Sequence, residues 1–131
     1  RITDCRDYCG LLLKSNRDAS RCLELRIESG MKRLSLVNLP MDVDPFWRES
    51  CTNVGTPKNP GPDGIRVCEK PFLFKEGEVI DVKVVMDKDM VEIFIGERAA
   101  FTYRVYEKTE YEIGFMAQDG KVEFFDIEVV K

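Results

Sequence analysis

The plainest pattern in the chain is an alternation of apolar and polar residues in its C-terminal half. In Val79-Ile80-Asp81-Val82-Lys83-Val84-Val85-Met86, the side chains of Ile80, Val82, Val84 and Met86 share one face at a period of two, which predicts a half-buried β-strand. Asp87-Lys88-Asp89 reads as a turn. Met90 to Ile95 then repeats the alternation, with Val91, Ile93 and Ile95 opposite Met90, Glu92 and Phe94, so the two strands form a hairpin. Gly96-Glu97-Arg98 is the next reversal, and Ala99 to Tyr106 sets Phe101, Tyr103 and Val105 against Thr102, Arg104 and Tyr106. Glu110 to Gln118 and Lys121 to Val130, divided by Asp119-Gly120, complete an expected five-strand meander.

The N-terminal part follows the same grammar. Tyr8 to Lys14 is one strand, the polar stretch Ser15 to Ser20 is turn-like, and Cys22 to Ser29 alternates Leu23, Leu25 and Ile27 with charged residues until Gly30 ends it. Lys32 to Asn38 is the third strand, carrying Leu34 and Leu36 inward. From Leu39 to Gly64 the pattern breaks: prolines at 40, 45, 57, 60 and 62 withhold ladder hydrogen bonds, and glycines at 55, 61 and 64 favour unusual dihedrals. This is a long loop, of the kind that tends to carry function, and it returns into Pro71-Phe72-Leu73-Phe74. Eight or nine short strands without a helical period predict an all-β fold, a two-sheet antiparallel β-sandwich of concanavalin or jelly-roll type, with a β-barrel as the alternative. A chain of 131 residues suits one such domain, spanning 1–131.

Composition narrows the functions. With 44% hydrophobic and 34% charged residues the chain is an ordinary globular protein, and its longest apolar run is too short to cross a bilayer, so no membrane partner is expected. The net charge of −4 comes from 20 basic and 24 acidic residues mixed along the chain, which builds no polycationic surface for nucleic acid. Arg1 to Asp7 lacks a basic end followed by an apolar stretch, although a leader removed beforehand leaves no trace, so the compartment stays open. Five cysteines at irregular spacing, without a C-x-x-C pair, read as small apolar thiols and not as a disulfide framework or zinc site. The absence of histidine removes the Ser-His-Asp and Cys-His mechanisms and leaves carboxylates, lysine, tyrosine or cysteine for any chemistry.

Candidate binding groups lie on the faces opposite the apolar ones. Glu92 and Arg104 fall within a residue or two of cross-strand neighbours if the hairpin turns at Gly96-Glu97-Arg98, which makes them either a solvated ion pair or hydrogen-bonding groups for sugar hydroxyls. Tyr106 shares the face of Arg104. Asp87, Asp89 and Glu92 crowd one turn, but acids are what turns prefer, and their spacing is neither that of a calcium loop nor a statement of the separation a glycosidase needs. Trp47 offers an aromatic face to a sugar ring, or else pins the long loop by burying its own ring. Arg66 and Glu69 flank the return from that loop and are placed to join a site at its mouth. The candidate binding residues are Trp47, Arg66, Glu69, Glu92, Arg104 and Tyr106, with no catalytic residue, no metal ligand and no cofactor expected.

One longer pattern is distinctive. Asp87-Lys88-Asp89-Met90-Val91-Glu92-Ile93-Phe94-Ile95, followed by Thr102-Tyr103-Arg104-Val105-Tyr106, resembles the C-terminal β-sandwich of glycoside hydrolase family 32, the invertases, levanases and inulinases, in its Val-Glu-hydrophobic-Phe and Arg-x-Tyr pieces. Gly10-Leu11-Leu12-Leu13, Leu23-Glu24-Leu25-Arg26, Gly114-Phe115-Met116-Ala117 and Gly120-Lys121-Val122-Glu123-Phe124 fit the same order, so the resemblance spans most of the chain. The loop from Leu39 to Gly64 is longer and richer in proline than the family pattern. The three acidic motifs of the family's catalytic propeller are missing: Asp44-Pro45 follows Val43 in place of Arg, Ser50 separates Glu49 from Cys51, and Cys68-Glu69 runs in reverse order. The resemblance thus implies a non-catalytic piece of a larger glycoside hydrolase, whose partner is a catalytic β-propeller domain of the parent chain. Through the related carbohydrate-binding module family 66 it also implies an oligosaccharide or fructan ligand; a purely structural domain and a stand-alone Asp/Glu glycosidase are the alternatives.

Overall fold

The computed structural model describes residues 1–3, 8–39, 65–105, 108, 112–118 and 121–130. They form ten strands, and no helix occurs among the described residues: β1 (Ile2–Thr3), β2 (Tyr8–Ser15), β3 (Cys22–Glu28), β4 (Arg33–Leu39), β5 (Ile65–Pro71), β6 (Val82–Asp87), β7 (Met90–Ile95), β8 (Ala99–Arg104), β9 (Glu112–Gln118) and β10 (Glu123–Phe124). β5-β4-β3-β2-β9 make a five-stranded sheet, β6-β7-β8 a three-stranded sheet, and β1 and β10 a short ladder, with every pairing antiparallel. The fold is the expected all-β sandwich.

The core is the meeting of two alternating faces. Leu23, Leu25 and Ile27 of β3 and Leu34 and Leu36 of β4 pack with Val91, Ile93 and Ile95 of β7, all fully enclosed. Because the inner residues of both sheets belong to one core, their outer faces lie on opposite sides of the molecule. The segment between β5 and β6 is held at the sandwich edge by Arg98: its guanidinium stacks 3.9 Å from the ring centroid of buried Phe72 while donating to Glu78 at 2.7 Å and to the Leu73 carbonyl at 2.5 Å. Two hairpins of the smaller sheet turn through left-handed residues, Lys88 (φ 55°) and Gly96 (φ 54°).

One sequence expectation is corrected. The five-strand meander stops at three strands, because β9 crosses to the other sheet and pairs with β2, while β10 holds only two residues and pairs with β1. Gly114 is fitted to that crossing: it faces Leu12, and a Cβ there would come within 3.2 Å of Leu12 Cδ1. Asp126 adopts φ 53°, which interrupts the expected last strand. The return from the long loop is made by the strand Ile65–Pro71, which the alternation does not single out. Its register shifts between Leu36 and Val37 of β4, so Val67 is a bulge residue and the period of two is lost from the sequence.

Candidate functional site

The outer face of the five-stranded sheet is polar in its centre. The ladder registers place Tyr8, Glu28 and Arg33 in one row across β2, β3 and β4, Gly10, Arg26, Ser35 and Glu69 in the next across β2 to β5, and Glu24, Val37 and Arg66 in a third. The reason is local: the tight Ser29-to-Lys32 turn brings Glu28 opposite Arg33, and the alternation that sends Leu23, Leu25 and Ile27 inward sends Glu24, Arg26 and Glu28 outward.

Glu28 is the hub. Its carboxylate accepts from Arg33 Nε at 2.6 Å, Arg33 Nη2 at 3.2 Å, Ser35 Oγ at 2.5 Å and Arg66 Nη2 at 3.4 Å. Ser35, fully enclosed, in turn accepts from Arg66 Nε at 3.0 Å. Burial pushes the Glu28 carboxyl up, but the hydrogen bonds from Arg33 and Ser35 and the charges of Arg33 and Arg66 outweigh it and hold the group below the usual carboxylate range. Outside this tight centre the contacts lengthen: Glu69 stands 3.5 Å from both Arg33 Nη1 and Arg66 Nε, and its side chain is half exposed. On the other flank Arg26 donates from Nη2 to Glu24 at 3.0 Å and lies 5.4 Å from the Tyr8 ring centroid; its Nε is 2.9 Å from Glu24 Oε1 but misaligned for a hydrogen bond. Burial acts to lower the Arg26 guanidinium, yet the Glu24 hydrogen bond and charge raise it.

Gly10 lies in the middle row for a steric reason. A Cβ at this position would stand 1.7 Å from the Leu25 carbonyl oxygen, so no side chain fits between β2 and β3 there. A second polar feature is internal, where Lys14 and Lys108 are each 1% exposed. The Lys108 ammonium donates to Asn38 Oδ1, and the Lys14 ammonium donates to the backbone carbonyls of Lys88 and Lys108, which ties the end of β2 to the β6–β7 turn.

The structure brings together only part of the predicted site. Arg66 and Glu69 belong to the polar face just described. Glu92 and Arg104 lie on the outer face of the other sheet, across the sandwich from them, so the four do not form one cluster. Glu92 and Arg104 are two residues out of direct register, as expected: Glu92 sits opposite Val85 and Thr102, and Arg104 opposite Met90, with its Nε 3.3 Å from Met90 Sδ and 3.9 Å from Asp89 Oδ2. Trp47 and Tyr106 lie outside the described residues. Asp87, Asp89 and Glu92 do not converge, and no group of three potential metal ligands occurs among the described residues. Sequence reasoning missed Tyr8, Glu24, Arg26, Glu28, Arg33 and Ser35. For all but Tyr8 the signal was present in Glu24-x-Arg26-x-Glu28, an alternation of opposite charge, and Arg33-x-Ser35, a cation and a hydroxyl at the same spacing, which a four-residue turn sets face to face.

The family described as glycosyl hydrolases family 32 C terminal matches residues 50–131, and the chain belongs to that family. The solved structure of a carbohydrate-binding module, CBM66, from Bacillus subtilis superposes with a TM-score of 0.69 at 12% sequence identity, over 92% of this chain. The chain spans 65% of that module's length. A comparison with curated proteins gave no match.

Proposed function

We propose that this chain is a non-catalytic carbohydrate-binding module that accompanies the catalytic propeller of a family 32 glycoside hydrolase, and that it holds a fructan or related oligosaccharide on the outer face of β3, β4 and β5. One observation carries the reading: a fixed inner set of hydrogen bonds at Glu28, Ser35 and Arg33 supports an outer rim, Arg66 and Glu69, whose mutual contacts are long at 3.5 Å. A vicinal pair of sugar hydroxyls is matched to such a rim, because one hydroxyl accepts from the guanidinium while its neighbour donates to the carboxylate. The exchange replaces the weak Arg66–Glu69 contact by charge-assisted hydrogen bonds of ordinary length. The Tyr8 ring at the far flank supplies an apolar surface of the kind sugar rings lie against. Membership of the family and the likeness of fold to CBM66 support the same reading.

Glu28 is suited to holding hydrogen-bond donors and not to the role of a general acid. A glycosidase needs one carboxylic acid kept protonated by a raised pKa, whereas Glu28 is held down by its arginines. Isothermal titration with levan oligosaccharides, inulin, sucrose and fructose tests the proposal. Binding that is abolished by Arg66→Ala, with the circular dichroism spectrum unchanged, is the expected result; no heat from any sugar with folded protein overturns the binding role and leaves that of scaffold.

A further inference from the structure

The polar face of the five-stranded sheet has a centre that can take no further bond and two ends that can. At the centre Glu28 accepts from Arg33, Ser35 and Arg66, and the enclosed Ser35 donates to Glu28 while accepting from Arg66. Their hydrogen-bonding capacity is spent on one another, so a ligand gains nothing from them directly. One end is the Arg66–Glu69 rim on β5, with Glu69 half exposed. The other is Tyr8 on β2 with Arg26 on β3. Arg26 Nη2 donates to Glu24, its Nε is enclosed without an aligned acceptor, and its Nη1 has no acceptor among the described residues, while the side chain keeps 21% of its surface exposed. The guanidinium stands 5.4 Å from the centroid of the half-buried Tyr8 ring, so a cationic donor and an aromatic surface are presented side by side.

The ladder registers set the distance between the two ends. Arg26 lies opposite Ser35 and Ser35 opposite Glu69, so Arg26 is two strands from the rim, and Tyr8, on β2, is three strands from it. These intervals are roughly 10 and 14 Å, more than one furanose or pyranose ring spans. A single ring therefore engages one end or the other. Two or three linked rings reach both, and the second contact is then made at the high effective concentration that the first contact provides.

We propose that Tyr8 and Arg26 form a second sugar station, which takes another ring of the same oligosaccharide whose first ring sits on the Arg66–Glu69 rim. Arg26 Nη1 donates to a hydroxyl of that ring, and the ring's apolar side lies against Tyr8. The inference rests on the sugar-binding reading of the rim and adds three things to it: the ligand runs across the strands from β5 to β2, it holds at least two linked units, and Tyr8 sets the preference for an oligosaccharide over a monosaccharide. Glu28, Arg33 and Ser35 act as the rigid floor that keeps the two stations at a fixed separation.

Isothermal titration of the full chain with fructose and with levan oligosaccharides of increasing length tests this. Affinity is expected to rise at least ~10-fold from the monosaccharide to the trisaccharide and then to level off. Tyr8→Ala is expected to remove that gain and leave the affinity for fructose as it was, Tyr8→Phe to keep the gain, and Arg66→Ala to weaken every ligand. Equal affinity for fructose and the trisaccharide, or an equal effect of Tyr8→Ala on both, overturns the second station and leaves the reading of the rim standing. No heat from any sugar with folded protein overturns the reading of the rim, and the second station with it. The length series on the unsubstituted chain decides the matter even if Tyr8→Ala does not fold.

Discussion

Ser35 and Glu28 are the residues on which the polar face depends. Ser35 donates to Glu28 and accepts from Arg66 while wholly enclosed, so Ser35→Ala leaves both partners short of a bond that water cannot replace. We expect a loss of about 1–2 kcal/mol in urea unfolding. Glu28→Ala removes the acceptor shared by two arginines and a hydroxyl, and we expect a larger loss of about 2–4 kcal/mol; a value below ~0.5 kcal/mol, as for a surface ion pair, contradicts the account. The acid limb of stability carries the same signature. Since the folded Glu28 carboxyl is held below its unfolded range near 4.3, its contribution is complete above that range and fades as pH falls through the folded value. The stability gap between the native chain and Glu28→Gln should therefore narrow from pH 6 towards pH 3, and a gap that stays constant or widens denies the assigned role. Cys22 is enclosed, and burial, with the Glu24 charge beside it, pushes its thiol up to about 11, so it should resist alkylation at pH 7.5 in the native state and react once unfolded.

At the scale of elements, the contact between β2 and β3 is the least forgiving. Gly10→Ala places a methyl group 1.7 Å from the Leu25 carbonyl oxygen, and relief requires the central strands to part. The expected cost exceeds ~3 kcal/mol, or the protein fails to accumulate folded, whereas Gly77→Ala, at φ 73° with open space around it, should cost about 1 kcal/mol. A similar loss for both in thermal unfolding contradicts the packing described. The same elements show why some of the fold is legible in the sequence and some is not. β3, β4, β6, β7 and β8 each turn one set of alternate residues into the core, and period-two alternation follows directly from that; in β3 and β4 the opposite set, Glu24, Glu28, Ser35 and Val37, is enclosed as well. β5 hides because the Val67 bulge breaks its parity, and β9 because an edge strand with apolar residues on both faces gives no sign of which sheet it joins. The polar face was only half legible for a related reason: alternation shows that Glu24, Arg26, Glu28, Arg33 and Ser35 leave the core, but only the register shows that they meet. Where the turn itself was legible the register followed: the reversal at Gly96-Glu97-Arg98 sets Arg104 two residues from Thr102, the partner of Glu92.

For the whole molecule, two sheets of unequal width share one core and present two unlike outer faces, one organised around Glu28, the other carrying Glu92 and Arg104. The larger sheet offers hydrogen-bonding groups already fixed by their neighbours, so little ordering cost opposes a ligand that uses them. A backbone amide NMR titration with a levan oligosaccharide tests this most directly. The account predicts saturable shifts confined to β2, β3, β4 and β5 around Tyr8, Arg26, Glu28, Arg33, Ser35, Arg66 and Glu69, with β6 to β8 unmoved. Shifts centred on Glu92 and Arg104, or none at saturating sugar, would contradict it.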